Sequence, residues 1–265
     1  MSELVLRPVN KWLSGVGKAG RLTMEHAGGL GRLFWAVVVS TARLKVSFRE
    51  ITNQMYVMGI QSLPIALVTA SLAGIVTSQQ GGYQFQGNVP LYVLGSLVVE
   101  TMVLEMGPVL TGIVLVGRVG ARITAELGTM VVSEQIDAYK SLGRDPVAIL
   151  VAPRVIAGTI VTPFLVAIAD IVGILVGMLA AKLTTGLGYE SFLYGARLYW
   201  HSWDLLYSLT KALAFGFAIP LISTHMGLRT AGGAAGVGRQ TTAAVMFMTL
   251  TVLILDALFP PLMLQ

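Results

Sequence analysis

From Ile51 to Val99 the chain carries no Asp, Glu, Lys or Arg. One membrane-crossing helix needs roughly 20 apolar residues, so a run this long must hold one span and begin another. Composition extends the point to the whole chain. Of its 265 residues 55% are hydrophobic and 12% are charged, against about a quarter charged in soluble domains. An ordinary globular enzyme is excluded.

Apolar runs predict five spans, over 55–77, 91–116, 147–181, 203–226 and 241–264. The third is longer than a bilayer requires, and Pro163 or a tilt can absorb the excess. With the amino end inside, fifteen of the eighteen Lys and Arg fall on inside segments. Outside loops keep only Lys182 and Arg197, and Lys211 lies within a span. The positive-inside rule therefore places the amino end in the cytoplasm and the carboxyl end outside. The basic balance reflects topology, not a nucleic-acid face, since these residues gather at span ends.

Before the first span, Lys11, Ser14, Lys18, Arg21 and Glu25 recur at helical spacing, opposite Trp12, Leu13, Val16 and Met24. This predicts an amphipathic helix lying in the membrane interface. Residues 1–50 are read as a cytoplasmic and interfacial region and 51–265 as one transmembrane domain. No signal peptide is expected, because the best apolar stretch, Leu33 to Val39, is short and flanked by basic residues. The absence of cysteine removes disulfides, thiolate metal sites and cysteine nucleophiles.

Gly233 to Gly238 has the glycine spacing of a phosphate loop, but Arg239 and Gln240 follow where Lys and Ser or Thr are needed. It reads as a turn between spans, so ATP hydrolysis is expected in a partner chain. No serine-hydrolase elbow or paired-histidine zinc motif occurs, and no cofactor is expected. Small residues recur every fourth position at Ala66, Ala70, Gly74 and Ser78, and at Ala169, Gly173, Gly177 and Ala181. Such stripes bring helices close, within one chain or between two.

Ionisable groups inside a membrane are costly and call for partners or water. Counting about 1.5 Å per residue from the span ends puts Glu100, Lys211 and Asp256 in the outer half of the bilayer, with Asp170 near its outer edge. They either border a hydrated lipid path or form a structural charge cluster around Lys211. Leu97, Glu100, Leu104, Glu105 and Lys211 are the candidates for that path. Arg118, Arg122 and Glu126, one helical turn apart, suit an Arg–Glu pair or a cytoplasmic surface.

Between spans two and three, a short surface helix is expected from Ser133, with Ile136, Tyr139 and Lys140 near one face and Glu134, Asp137 and Ser141 on another. Gly143 and Pro146 supply its stop.

Several motifs in one order carry a resemblance. Glu105-Met106-Gly107-Pro108-Val109-Leu110-Thr111, Gly117-Arg118-Val119-Gly120-Ala121, Ala125-Glu126-Leu127-Gly128-Thr129-Met130, Glu134-Gln135-Ile136-Asp137-Ala138 and Leu142-Gly143-Arg144-Asp145-Pro146, followed by Pro153-Arg154, resemble the MlaE/YrbE family of ABC-transporter permeases. Met106 stands where leucine is expected in that pattern.

The resemblance implies an all-α membrane protein, a homodimeric permease of the bacterial inner membrane. It also implies partners: a cytoplasmic ABC ATPase, an MCE-domain lipid-binding protein outside, and accessory subunits. The implied substrate is phospholipid or a related lipid moved between inner and outer membranes. Glu134, Gln135, Ile136, Asp137, Ala138, Leu142 and Gly143 then form the helix that couples the ATPase to the spans. The competing readings are a non-transport membrane scaffold, an intramembrane enzyme and a small-solute permease of the same class.

Overall fold

The computed structural model describes residues 24–43, 46–85, 87 and 89–263. All regular elements among them are helical. Helix α1 covers 24–42. It is followed by α2 (Phe48–Gln84), α3 (Val93–Val132) and α5 (Val147–Thr185), with the short α4 (Gln135–Ser141) between α3 and α5. Helix α6 (Tyr189–Leu198) precedes α7 (Ser202–Leu228) and α8 (Gly233–Met263). Five of these helices, α2, α3, α5, α7 and α8, are long and apolar enough to cross a membrane. The chain is a multi-pass membrane protein.

The five long helices correspond one to one with the five expected spans, and each runs beyond at least one expected limit. Helix α3 shows the largest extension, continuing through the charged stretch from Gly117 to Val132. Its 40 residues measure about 60 Å, twice the hydrocarbon thickness of roughly 30 Å, so it projects well past the bilayer. Its winding widens at Met102–Met106 and again at Val116–Gly120. Similar π-type segments occur at Tyr56–Ile60 and Val147–Val151.

Helices α5 and α7 form the centre, α5 packing on α2 and α7, and α7 touching α3 and α8 as well. The two small-residue stripes explain the α2–α5 pairing. Gly74 meets the backbone of Gly173, and a Cβ on Gly177 would stand 3.0 Å from the Gly74 carbonyl oxygen. Ala66, Ala70, Ser78, Ala169 and Ala181 are buried along the same seam. Dispersion between closely approaching backbones replaces the hydrophobic effect, which lipid tails do not supply. The stripes therefore pack within one chain.

Two helices were not legible as such. Helix α1 rests on α5 and α7 through Val37, buried with Val151, Val155 and Leu221, while Phe34 meets Phe217 edge-on at 5.6 Å. His26 Nδ1 lies 3.2 Å from His225 Nε2. The interfacial helix expected from Lys11 to Glu25 lies outside the described residues except at Met24 and Glu25. Helix α6 buries Phe192 and Gly195 against α3, where Gly195 packs on the Tyr92 carbonyl with no room for a side chain. At the same end of the bundle Trp203 Nε1 donates to the Met263 carbonyl at 2.8 Å, joining α7 to α8.

Candidate functional site

The motif Glu105-Met106-Gly107-Pro108 lies where α3 meets the centre of the bundle, and each of three residues in it has a physical task. Proline has no N–H, so Pro108 leaves the carbonyl of Leu104, one turn earlier, without its helical donor. Lys211 Nζ takes that place, donating to the Leu104 oxygen at 3.0 Å. The same ammonium donates to Glu105 Oε2 at 2.8 Å and forms an ion pair with Asp256. Tyr207 OH stands 3.5 Å away. Lys211 is sealed from solvent, whereas the Glu105 side chain is 41% exposed. One cation thus ties α3, α7 and α8 together.

Gly107 makes a second contact. The Asp170 carboxyl from α5 lies directly over its Cα, where any side chain would collide. Asp170 is buried and accepts from Ser208 at 3.3 Å, one turn from Lys211 on α7. It therefore sits at the level of the Lys211 cluster, not nearer the edge, since α5 runs on past it to Thr185, which meets Gly82 near the end of α2. Its Oδ1 has no hydrogen-bond partner.

Of the expected lipid-path residues, Leu97, Glu100, Leu104 and Glu105 share one partly exposed stripe of α3. Lys211 lies behind that stripe, with its charge met by Glu105 and Asp256. The clustering of Lys211 with two carboxylates distributed over α3 and α8 is the structural alternative drawn from the sequence.

At the opposite end of α3, Glu126 reaches across to α5. Arg154, 4% exposed, donates from Nη2 to Glu126 Oε1 at 2.8 Å and from Nη1 to the Leu150 carbonyl at 2.5 Å. Glu126 pairs with Arg154, not with its helical neighbour Arg122, and this partner lay too far along the sequence to be read from spacing.

Helix α4 sits just beyond. Its N-cap is Glu134, the only described non-glycine residue with positive φ, at 59°. It ends in a Schellman closure: Gly143, φ 68°, donates to the Lys140 carbonyl and Arg144 to that of Tyr139, both at 2.9 Å. Asp145 Oδ1 then accepts from the Val147 amide at 2.9 Å and opens α5. Ile136 is buried in the main core and Tyr139 packs beside it. Lys140 points away from that face and pairs with the exposed Asp137 at 2.8 Å. Glu134, Gln135, Asp137, Ala138, Leu142 and Gly143 are exposed, Leu142 to 75%.

Five membrane-crossing helices tied together at one buried lysine, with a short, firmly terminated helix at one end, suit a transporter's membrane subunit. The sequence pattern of Permease MlaE matches residues 51–261. The chain belongs to the MlaE permease family of ABC-transporter permeases.

It is 36% identical to a probable ABC transporter permease protein of Rickettsia felis over 249 residues, 94% of this chain and 96% of that one. A probable ABC transporter permease protein of Synechocystis is 36% identical over 221 residues, 83% of this chain and 84% of the relative. The chloroplastic protein Trigalactosyldiacylglycerol 1 of Arabidopsis thaliana is 34% identical over 220 residues, 83% of this chain and 63% of the relative.

Proposed function

We propose that the protein is the permease subunit of an ABC transporter that moves phospholipid or a related lipid between the inner and outer membranes of a bacterium. It acts as a homodimer in the inner membrane, with the α4 end cytoplasmic and the carboxyl end periplasmic. A separate ATPase hydrolyses ATP, and an MCE-domain protein receives or delivers lipid outside, with accessory subunits completing the assembly. The lipid reading is supported by the family and by the Arabidopsis relative, which is named after a diacylglycerol glycolipid. The partly exposed stripe of Leu97, Glu100, Leu104 and Glu105 offers acyl-compatible surface beside carboxylates. Lys211 serves that path indirectly, by holding Glu105 in place.

The observation that carries the coupling assignment is the construction of α4. Ile136 fixes it to the core while Glu134 and Asp137 are left facing outward, and both of its ends are locked by left-handed residues. An exposed Asp137–Lys140 pair contributes at most about 1 kcal/mol to folding, so the acidic face is free to serve a partner. Reversing both charges, Glu134→Lys with Asp137→Lys, is expected to reduce copurification of the ATPase or to uncouple hydrolysis from lipid transfer, with membrane insertion unchanged. Normal copurification together with a normal transfer rate overturns the assignment.

A further inference from the structure

A cavity of about 190 Å³ opens between α2 and α3 at the α4 end of the bundle, far along α3 from Glu105. Its polar walls are Glu50, Asn53 and Gln54 of α2 and Arg118, Arg122 and Glu126 of α3. Arg118 and Arg122 are four residues apart and so project from successive turns of one helix face.

The carboxylates here are already engaged. Glu50 accepts from Gln54 Nε2 at 2.9 Å, and Glu126 accepts from the buried Arg154 at 2.8 Å. The two guanidinium groups that line the cavity have no carboxylate partner among the described residues. Arg118 is held by Ser62 Oγ, a buried hydroxyl on α2, which leaves most of its five N–H donors uncommitted. Arg122 makes no ion pair with a described residue. With Arg154 included, three guanidinium groups meet two carboxylates at this place.

We propose that this cavity is a phosphate-binding site, for a phosphate group carried by a lipid headgroup or free in solution. Two arginine forks on adjacent turns match the several oxygens of a phosphate better than the planar pair of a carboxylate. Arg118 is pre-positioned, because its bond to Ser62 fixes the guanidinium before a ligand arrives. Arg122, exposed at the rim, closes over the bound anion. The Asn53 amide and the Gln54 side chain border the same space from α2. A cation is disfavoured here, since the guanidinium groups outnumber the carboxylates. The site is distinct from the Leu97–Lys211 region and does not depend on the transport reading.

The test uses the full chain purified in a non-ionic detergent, with thermal unfolding followed by tryptophan fluorescence. Inorganic phosphate and dihexanoyl phosphatidic acid are titrated separately, against sodium chloride at matched ionic strength. A saturable rise in unfolding temperature is expected with at least one probe. A rise with inorganic phosphate assigns the site to free phosphate, and a rise with the lipid alone assigns it to a headgroup.

Loss of a charge-assisted hydrogen bond should raise the half-saturating concentration about tenfold or more in Arg122→Gln and in Arg118→Gln. Arg197→Gln, on α6 at the other end of the bundle, should leave it unchanged. Arg122 is exposed and supports no described contact, so its variant keeps the test decisive if Arg118→Gln fails to fold. No saturable rise with either probe, or an unchanged half-saturation in Arg122→Gln, overturns the proposal.

Discussion

Helices α7 and α8 are neighbours in sequence and both are apolar enough to span a membrane, yet 61% of the most apolar stretch of α7 is buried against 17% for α8. What separates them is not hydrophobicity but the placement of small and polar groups. Helix α7 buries Ser208, Lys211, Gly216, Ser223 and Thr224 among its neighbours. Gly216 lies against Gly158 of α5 so closely that neither position admits a side chain without displacement. Helix α8 fully buries only Gly236, Ala244, Met248 and Val252. Its other face presents Met246, Phe247, Leu250, Leu253, Ile254 and Leu258. In a bilayer, leucine has little reason to prefer protein over lipid, so small and polar residues decide which helix becomes central.

That contrast breaks most visibly at Lys211. Lys211→Met leaves Glu105 and Asp256 without their shared cation inside the bundle, and removing one partner from a buried ion cluster typically costs about 3–5 kcal/mol. The expected outcome is a large loss of folded, monodisperse protein in detergent, partly restored by adding Glu105→Gln and Asp256→Asn. Wild-type yield and unfolding temperature in the single variant would show that the cluster does not hold α3, α7 and α8 together.

A smaller effect is expected on the α2–α5 seam. Gly74→Leu forces a side chain into the Gly173 backbone, and overpacking of this kind costs about 1–3 kcal/mol. Unfolding of the purified single chain in increasing denaturing detergent should shift accordingly. An unchanged curve would mean that the two helices separate readily and that the stripe serves a contact between chains.

The smallest effect belongs to α8. Leu250→Ala, on its open face, should alter the stability of the isolated chain by no more than about 0.5 kcal/mol. A loss as large as that of a buried leucine would show that this face is covered in the purified protein, and chemical cross-linking of the same sample would then identify a second copy.

The sequence made the spans legible because unbroken apolar length is a local property. The same holds for α4, whose stop is written in Gly143 and Pro146 within a few residues of each other. Helices α1 and α6 escaped for a shared reason: both are defined by what they lie on. Gly28, Gly29 and Gly31 weaken α1 as an isolated helix, and its burial at Val37 comes from α5 and α7.

The ion cluster was half legible. The sequence marked Glu105, Lys211 and Asp256 as intramembrane charges, but their convergence depends on how three helices pack. The vacancy that Pro108 creates at the Leu104 carbonyl is visible in the sequence; which side chain fills it is not. Likewise the Arg118–Arg122–Glu126 spacing was plain, while the Arg154 that claims Glu126 comes from another helix.

The two widened windings of α3 bear on how force travels through the molecule. A continuous helix carries thrust along its axis from Val132 to the level of Glu105, because its backbone is unbroken over that whole distance. The π-wound segments at Val116–Gly120 and Met102–Met106 interrupt the regular ladder, a rare departure that recurs at functional sites. Glu105 lies within the second of these segments, so its bond to Lys211 is made from a stretch of α3 whose own backbone ladder is irregular, and the side-chain tie stands in for part of that missing regularity.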